Sequence, residues 1–265
     1  MVRLAWLSKA VAAAGFAGVA ATGAALAADM PVKAPPPAAY YDWSGAYAGF
    51  GIGGVWADVH RFYPQPLAGP PLDSTSRSND VIYGFQAGAQ WQWGQWVLGV
   101  EAGYSAGFRE MQSSVAVPSP PFQQNISDYN KITNLFTLGP RLGFAWDRWM
   151  IYGTGGWASA DLKGQYIQTS TGLQTLAFAH GQSRHNGWFA GGGFEYMVHK
   201  GALVDVVFGA EYQHFDLGSK NTFCVSPGCN PPGFDTFDYR MDAKGDIVRA
   251  RLTIKTQGYG WWGAP

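Results

Sequence analysis

The feature that most constrains this chain is a period-two alternation held over thirteen residues, then repeated after a two-residue break. From Val81 to Trp93 one side carries Val81, Tyr83, Phe85, Ala87, Ala89, Trp91 and Trp93. The other carries Ile82, Gly84, Gln86, Gly88, Gln90 and Gln92. Successive side chains of a strand point to opposite faces, whereas a helix would scatter both sets around its axis. Gly94-Gln95 allows a reversal, and Trp96 to Phe108 sets Trp96, Leu98, Val100, Ala102, Tyr104, Ala106 and Phe108 against Val97, Gly99, Glu101, Gly103, Ser105 and Gly107. Strands of soluble domains average about 5–6 residues, and a tilted membrane-crossing strand needs about 9–11. Two runs of this length, each with one greasy face, predict a hairpin whose outer side meets lipid.

Six further runs extend the pattern: Ser44 to Trp56, Thr133 to Trp146, Trp149 to Ala158, Asn186 to Val198, Leu203 to Phe215 and Asp246 to Thr256. The facing of Trp149 to Ala158 stays open, and Pro140, which has no ladder donor, points to a bulge or distorted pairing in its run. In hydrocarbon an unpaired backbone edge is prohibitive, so the strands must close on themselves, and an even number returns the chain to its starting side. The expected fold is all-β, an eight-stranded antiparallel transmembrane β-barrel. Very short reversals at Gly94-Gln95, Asp147-Arg148 and His199 to Gly201 alternate with long connections at 58–80, 109–131, 159–185 and 218–245. In outer-membrane barrels short turns face the periplasm and long loops face outward. Trp43, Trp91, Trp93, Trp96, Trp146, Trp149 and Tyr196 cluster beside the short turns and are expected to form an aromatic belt at the membrane interface. A second band is expected near the long-loop ends, from Trp56, Tyr83, Phe108, Phe136 and Trp188.

The N-terminus assigns the compartment. Arg3 and Lys9 precede a small, apolar stretch from Ala10 to Leu26, and Ala25-Leu26-Ala27 suits a processing peptidase. Residues 1–27 are therefore expected to be a secretory signal peptide, cleaved after Ala27 or, alternatively, Ala28. Residues 28–43, with Pro31, Pro35, Pro36 and Pro37, are expected to be a proline-rich periplasmic lead-in. The barrel is assigned to 44–257 and a C-terminal extension to 258–265. Beyond the signal no run of eighteen apolar residues remains, which excludes a helical span. Loss of Arg3 and Lys9 leaves 16 of the 18 basic residues against 18 acidic ones, a balance that gives nucleic acid no purchase.

Function must then be sought on the inward face. Glu101, Arg141, Glu195, Asp205, Glu211, Arg249, Arg251 and Lys255 are expected to form a lumen charge network of four acids and four bases. Unpaired charges in so narrow a space would be costly, so ion pairs and a mostly occluded lumen are expected. An eight-stranded barrel has room for packed side chains or one small ligand. The alternative is a narrow path for water, ions or small solutes lined by the same groups. His60, His180, His185, His199 and His214 have no spacing that joins them to a nucleophile, so no catalytic residue, cofactor or metal site is expected. Cys224 and Cys229, the two cysteines, flank Ser226-Pro227-Gly228 in the last long connection and are expected to form a local disulfide.

Several segments carry a resemblance: AADMPVKAPPP after the signal, YDWSGAYAGFGIGG at the first strand, YGTGGWA at the fifth, EYMVHKGALVDVVFGAEYQHFDLG through the sixth and seventh, and DIVRARLTIK at the last. In this order and spacing they resemble the alphaproteobacterial outer-membrane β-barrel family, the porin-like surface antigens of Brucella and rhizobia. The resemblance implies a surface-exposed barrel in the outer membrane of a Gram-negative bacterium, linked to envelope integrity and in some members described as a porin. It transfers no catalytic residue. Members commonly stop on an aromatic residue soon after the last strand. Here residues 258–265 follow, and Tyr259 or Trp262 is expected to serve in its place, or the extension to fold against the periplasmic rim. The expected partners are outer-membrane lipid and lipopolysaccharide, with periplasmic chaperones and the barrel-assembly machinery during biogenesis. The sequence leaves oligomerisation open.

Overall fold

A computed structural model describes residues 41–63, 72–119, 122–170, 173–223 and 238–257. These form nine strands: β1 (Gly45–Tyr63), β2 (Leu72–Trp93), β3 (Trp96–Ala106), β4 (Glu110–Ser119), β5 (Phe122–Trp146), β6 (Trp149–Ser170), β7 (Leu173–Lys200), β8 (Val204–Phe223) and β9 (Asp238–Thr256). All pairings are antiparallel between chain neighbours, except that β1 also pairs with β9 and β3 with β5. Those two pairings close the sheet into a ring of eight, β1-β2-β3-β5-β6-β7-β8-β9, and β4 continues upward from the end of β3 along β5. The ring accords with the expected eight-stranded barrel.

Hydrophobic side chains facing outward mark the lipid-contacting height. Phe50, Ile52, Phe85, Leu98, Val100, Leu138, Leu142, Ile151, Phe194, Phe208, Leu252 and Ile254 all lie exposed on the outer surface. An aromatic ring of Trp91, Trp93, Trp96, Trp146 and Trp149 bounds this band beside the short turns, with Tyr196 packed on Trp149 at 4.6 Å between ring centroids. Trp56, Tyr83, Phe136, Trp157, Trp188 and Tyr212 bound its other side. The facing of the run from Trp149 to Ala158, now part of β6, is defined: Trp149, Ile151 and Trp157 point out, and Met150 and Tyr152 point in.

Three expectations need correction. First, the strands do not stop at the upper aromatic boundary. Most of the segments expected to be long loops are strand: 58–63 and 72–80, 110–119 with 122–131, 159–170 with 173–185, and 218–223 with 238–245. Above the boundary the alternation inverts. The outer face becomes polar while the inner face becomes apolar, with Val59, Met111, Ile132, Leu162, Met241 and Ala243 buried inside. Second, Trp43 does not face lipid. It is fully buried with Val97, Ala145, Met150, Tyr152, Met197 and Val207 inside the barrel near the short-turn end. Backbone bonds fix it there, its N–H donating to Gln92 Oε1 at 2.7 Å and its carbonyl accepting from Gln90 Nε2 at 2.7 Å. Third, Phe108 faces inward. Strand β3 ends at Ala106, and Gly107 at φ +103°, in the region that favours glycine, turns the next side chain into the core.

The chain above the lipid band divides into two leaves. The β2–β3 ladder ends at Tyr83↔Ala106 and the β7–β8 ladder at Trp188↔Asp216. Beyond those points, among the described residues, β8-β9-β1-β2 form one hydrogen-bonded leaf and β4-β5-β6-β7 the other.

Candidate functional site: the layered lumen

The interior is a stack of layers, and strand register sets each one. At lipid height Glu101, Arg141, Glu195, Glu211, Arg249 and Arg251 point inward, all at most 6% exposed. Register puts Glu101 between Gly88 and Gly139, and Arg251 between Gly51 and Gly209. Glycine here supplies space: a methyl at Gly88 would lie 2.5 Å from the Tyr47 hydroxyl, and one at Gly193 would lie 2.8 Å from that of Tyr152.

Three carboxylates and three guanidiniums fill the space so gained. Arg251 is the hub. Its Nη2 donates to Glu101 Oε2 at 2.6 Å and its Nη1 to Glu101 Oε1 at 3.1 Å, to the Tyr152 hydroxyl at 3.0 Å and to Glu211 Oε2. Arg249 holds the other oxygen of Glu211 at 2.6 and 2.9 Å. Arg141 lies 2.7 Å from Glu195 and 3.3 Å from Glu101, its guanidinium 3.6 Å from the centroid of the Tyr152 ring. Tyr47 donates to Glu101 at 2.8 Å and Tyr152 to Glu211 at 2.7 Å. Asp205 and Lys255 stand apart as a separate pair at 3.0 Å, the lysine also donating to the Ser44 carbonyl. All eight charged residues singled out in the sequence thus face inward, six in one cluster and two in the separate pair. Tyr47 and Tyr152 were missed. Both sit on the inward phase of their strands, and their signal was an aromatic residue on a face otherwise made of glycine and charge.

Apolar layers lie on both sides of this cluster. Below it are Trp43 and its neighbours. Above it a larger core runs from Val55, Ile82, Leu135, Phe189, Phe215 and Ile247 up to Val59, Met111, Ile132, Leu162, Leu217 and Met241.

A second polar cluster, which the sequence reading did not find, tops that core. Arg61, 1% exposed, donates from Nη1 to Asp128 Oδ1 at 2.9 Å and to the Tyr63 hydroxyl at 2.8 Å, and from Nη2 to Asn130 Oδ1. Tyr63 donates to Asp128 at 2.6 Å, Asn130 donates to Ser76 Oγ at 3.0 Å, and the Arg61 guanidinium sits 4.8 Å from the centroid of the Tyr239 ring. Arg61, Tyr63, Ser76 and Tyr239 belong to one leaf and Asp128 and Asn130 to the other, so the cluster joins them.

This upper cluster lies beyond the lipid band, and its ionisation is displaced. Burial pushes the Tyr63 phenol well above its usual value; Arg61 opposes that shift and Asp128 adds to it. Burial also raises Tyr239. Burial works against the Arg61 charge, yet Tyr63 and Asp128 outweigh it and hold the guanidinium's pKa up. A phenol raised on folding favours the protonated native state. Its contribution is complete below the unfolded tyrosine value near pH 10 and is lost as pH climbs from there toward the folded value. Ultraviolet phenolate titration of wild type minus Tyr63→Phe is expected to show Tyr63 ionising only well above the usual tyrosine range, together with opening of the upper leaves. Ionisation near pH 10 in an intact fold would contradict this burial.

Among the described residues the histidines do not converge. His60 lies 2.5 Å from Asp73 and 3.1 Å from Asp242 on the outer surface. His214 pairs with Asp246 at 2.9 Å, and His185 is buried beside Ser183 at 3.0 Å. Among the described residues no group of three or more His, Cys, Asp or Glu is arranged to hold a metal ion. Cys224 and Cys229, residues 1–40, which hold the expected signal peptide and most of the expected lead-in, and residues 258–265 lie outside the described residues.

Comparison with known proteins places this architecture. The 31 kDa outer-membrane immunogenic proteins of Brucella melitensis biotype 1 and Brucella suis biovar 1 are each 29% identical over 228 residues, covering 80% of this chain and 89% of theirs. Among solved structures, the outer membrane protease OmpT of Escherichia coli aligns over 80% of this chain and 96% of its own, at 9% identity and a TM-score of 0.44. Neisserial surface protein A aligns over 78% and 98%, at 12% identity and a TM-score of 0.29. The pattern of the outer membrane protein beta-barrel domain matches residues 14–241, and the chain therefore belongs to that family and resides in the outer membrane of a Gram-negative bacterium.

Proposed function

We propose that this protein is a non-conducting structural and surface barrel that supports the envelope and displays its extended upper hairpins outside the cell. One observation carries this reading: a charge-balanced layer of six side chains lies between two apolar layers, and all three are buried. A conducting path needs a continuous wetted lining. Moving an ion past the apolar side chains of the flanking layers carries a desolvation cost. The buried carboxylates are committed to arginines rather than to a reacting group, which supports a non-catalytic role for the lumen. The Brucella relatives bear the name immunogenic, which accords with upper hairpins that present polar outer faces to the surroundings.

The test is single-channel recording on folded, purified protein in planar bilayers. The expected result is no reproducible step above the bilayer leak across neutral pH. Stable steps of constant size would overturn the closed reading and favour a weak, nonspecific porin. The envelope role is tested separately: cells lacking the protein are expected to become more sensitive to detergent, and unchanged sensitivity would remove that part of the proposal.

A further inference from the structure

The residues just before β1 cross the mouth of the barrel at its short-turn end. Ser44 sits on the near side, where β2 and β9 flank β1. Its hydroxyl accepts from the Gln92 amide at 3.0 Å and its carbonyl from Lys255 Nζ at 3.0 Å. Tyr41 lies on the far side. Its hydroxyl accepts from Arg148 Nε at 2.7 Å, and its ring centroid stands 5.2 Å from the Arg148 guanidinium and 5.4 Å from Lys200 Nζ. Arg148 immediately precedes β6, the strand opposite β1 in the ring of eight, and Lys200 ends β7. Between these two moorings Asp42 Oδ1 accepts from the Ser44 amide at 2.8 Å, and Trp43 rises into the lower apolar layer.

Side chains alone fasten this strap. The Trp43 amide and carbonyl are both bonded, but to the side chains of Gln92 and Gln90. Residues 41–44 belong to no strand, and among the described residues they take part in no backbone–backbone bond of the turns and connections. The strap can therefore leave without breaking a ladder, which no strand of the wall can do. Its seat also lacks the bond that a buried indole usually makes: Trp43 Nε1 has no hydrogen-bond partner, and neither has Gln90 Oε1. The other side chains of the lower layer, among them Val97, Met150, Met197 and Val207, project from strands. So do those of the upper core at Val55, Ile82 and Leu135. Trp43 is the part of the closure that does not belong to the wall.

We propose that residues 41–44 are a displaceable strap that closes the periplasmic mouth, with Trp43 as its plug, and that its release admits water to the underside of the charge cluster without opening a path through the barrel. The Asp205–Lys255 pair, moored to the strap through the Ser44 carbonyl, is the first group that release hydrates. The lower barrier then belongs to a separable segment and the upper one to the wall. This inference rests on the closed lumen proposed above and adds the means by which one of its two barriers is withdrawn.

The test places a thiol behind the plug. Val207→Cys, in a Cys224→Ser/Cys229→Ser background, is treated with a charged, membrane-impermeant methanethiosulfonate in the folded full chain in detergent micelles, and labelling is timed by intact mass. With the strap in place labelling is expected to be slow. Trp43→Gly is expected to speed it at least about tenfold, since the space left by an indole far exceeds a water molecule. Tyr41→Ala/Arg148→Ala unfastens the far mooring at the rim while keeping Trp43; it is expected to speed labelling about threefold and decides the matter if the glycine variant does not fold. Met150→Ala makes a cavity in the same layer under an intact strap and is expected to change the rate less than about twofold. Trp43→Gly is also expected to give no conductance step in planar bilayers, because the upper core is untouched. The strap is refuted if Val207→Cys labels fast with Trp43 in place, if neither release variant speeds labelling, or if Met150→Ala speeds it as much as Trp43→Gly. Steps from Trp43→Gly alone would overturn the independence of the two barriers, whereas steps from the unmodified chain would refute the closed-lumen reading itself.

Discussion

Replacing Arg251 by methionine is expected to cost about 3–5 kcal/mol of folding free energy, the usual penalty for removing one partner from a buried charged network. Arg251 is 1% exposed and touches Glu101, Glu211 and Tyr152. Methionine fills much of the volume but leaves three carboxylates facing two guanidiniums. In the unfolded chain the same carboxylates are hydrated, so the penalty falls on the folded state alone. A second substitution separates charge balance from lost packing. Glu101→Gln beside Arg251→Met leaves Glu195 with Arg141 and Glu211 with Arg249, two complete pairs. Glutamine also keeps an acceptor for the Tyr47 hydroxyl. The double variant is therefore expected to recover most of the loss. Urea unfolding in phospholipid vesicles, followed by tryptophan fluorescence, measures both. A loss below about 1 kcal/mol, or a double variant no better than the single, would mean that the layer is solvated and its charges are not dependent on one another.

How much of this could be read from the sequence follows from where lipid ends. At lipid height the outer face must be apolar and the inner face small or polar. Phe85 beside Gln86 and Leu252 beside Arg251 therefore declare both strand and facing. Once that phase is fixed, the inward charges follow by counting in twos. Above Trp56 the solvent outside is water, and the same strand obeys the opposite rule. Asp58 and His60 face out, and Val59 and Arg61 face in or toward the core. A reading that searched for outward grease saw the strand end and assigned a loop. Alternation itself never stopped at Trp56; only its sign changed. Arg61 was missed for the same reason, since an arginine between His60 and Phe62 looks solvent-exposed unless the strand is known to continue. Trp43 misled differently. Indole suits both a membrane interface and a buried plug, and the choice depends on the path of the chain just before β1, which local pattern does not encode. Phe108 needed the backbone turn at Gly107, and glycine recurs too often along these strands for that one to be singled out.

Arg61→Met is expected to open the upper leaves while leaving the lipid-embedded barrel folded. The chemical insult matches that at Arg251: a buried guanidinium is lost and Asp128, 1% exposed, is left without its cation. The mechanical setting differs. At the height of Arg251 every strand of the ring is hydrogen-bonded on both sides, so no part can move without breaking a ladder and the loss is shared by the whole barrel. At the height of Arg61 the β2–β3 and β7–β8 ladders have already ended, and the leaves are joined by the apolar core, the Arg61 cluster and side-chain bonds such as Ser74 to Ser113 and Lys220 to the Arg184 carbonyl. A loss of about 3–5 kcal/mol there exceeds what the opening of a local unit commonly requires, whereas the closed ring below keeps its full set of backbone bonds. Trypsin with mass mapping distinguishes the two outcomes. Cleavage is expected to rise at least tenfold at Arg77, Lys131, Lys163 and Arg184 and to stay unchanged at Arg141, Arg249 and Arg251, since a population shift of 1.4 kcal/mol already gives a factor of ten. Arg61→Met/Asp128→Leu removes both charges together and is expected to restore protection, because an apolar pair of similar volume is tolerated where a lone carboxylate is not. Cleavage appearing at all seven sites at once would show that the leaves and the ring unfold as one unit, and the division of the molecule at its upper aromatic boundary would then be geometric without being energetic.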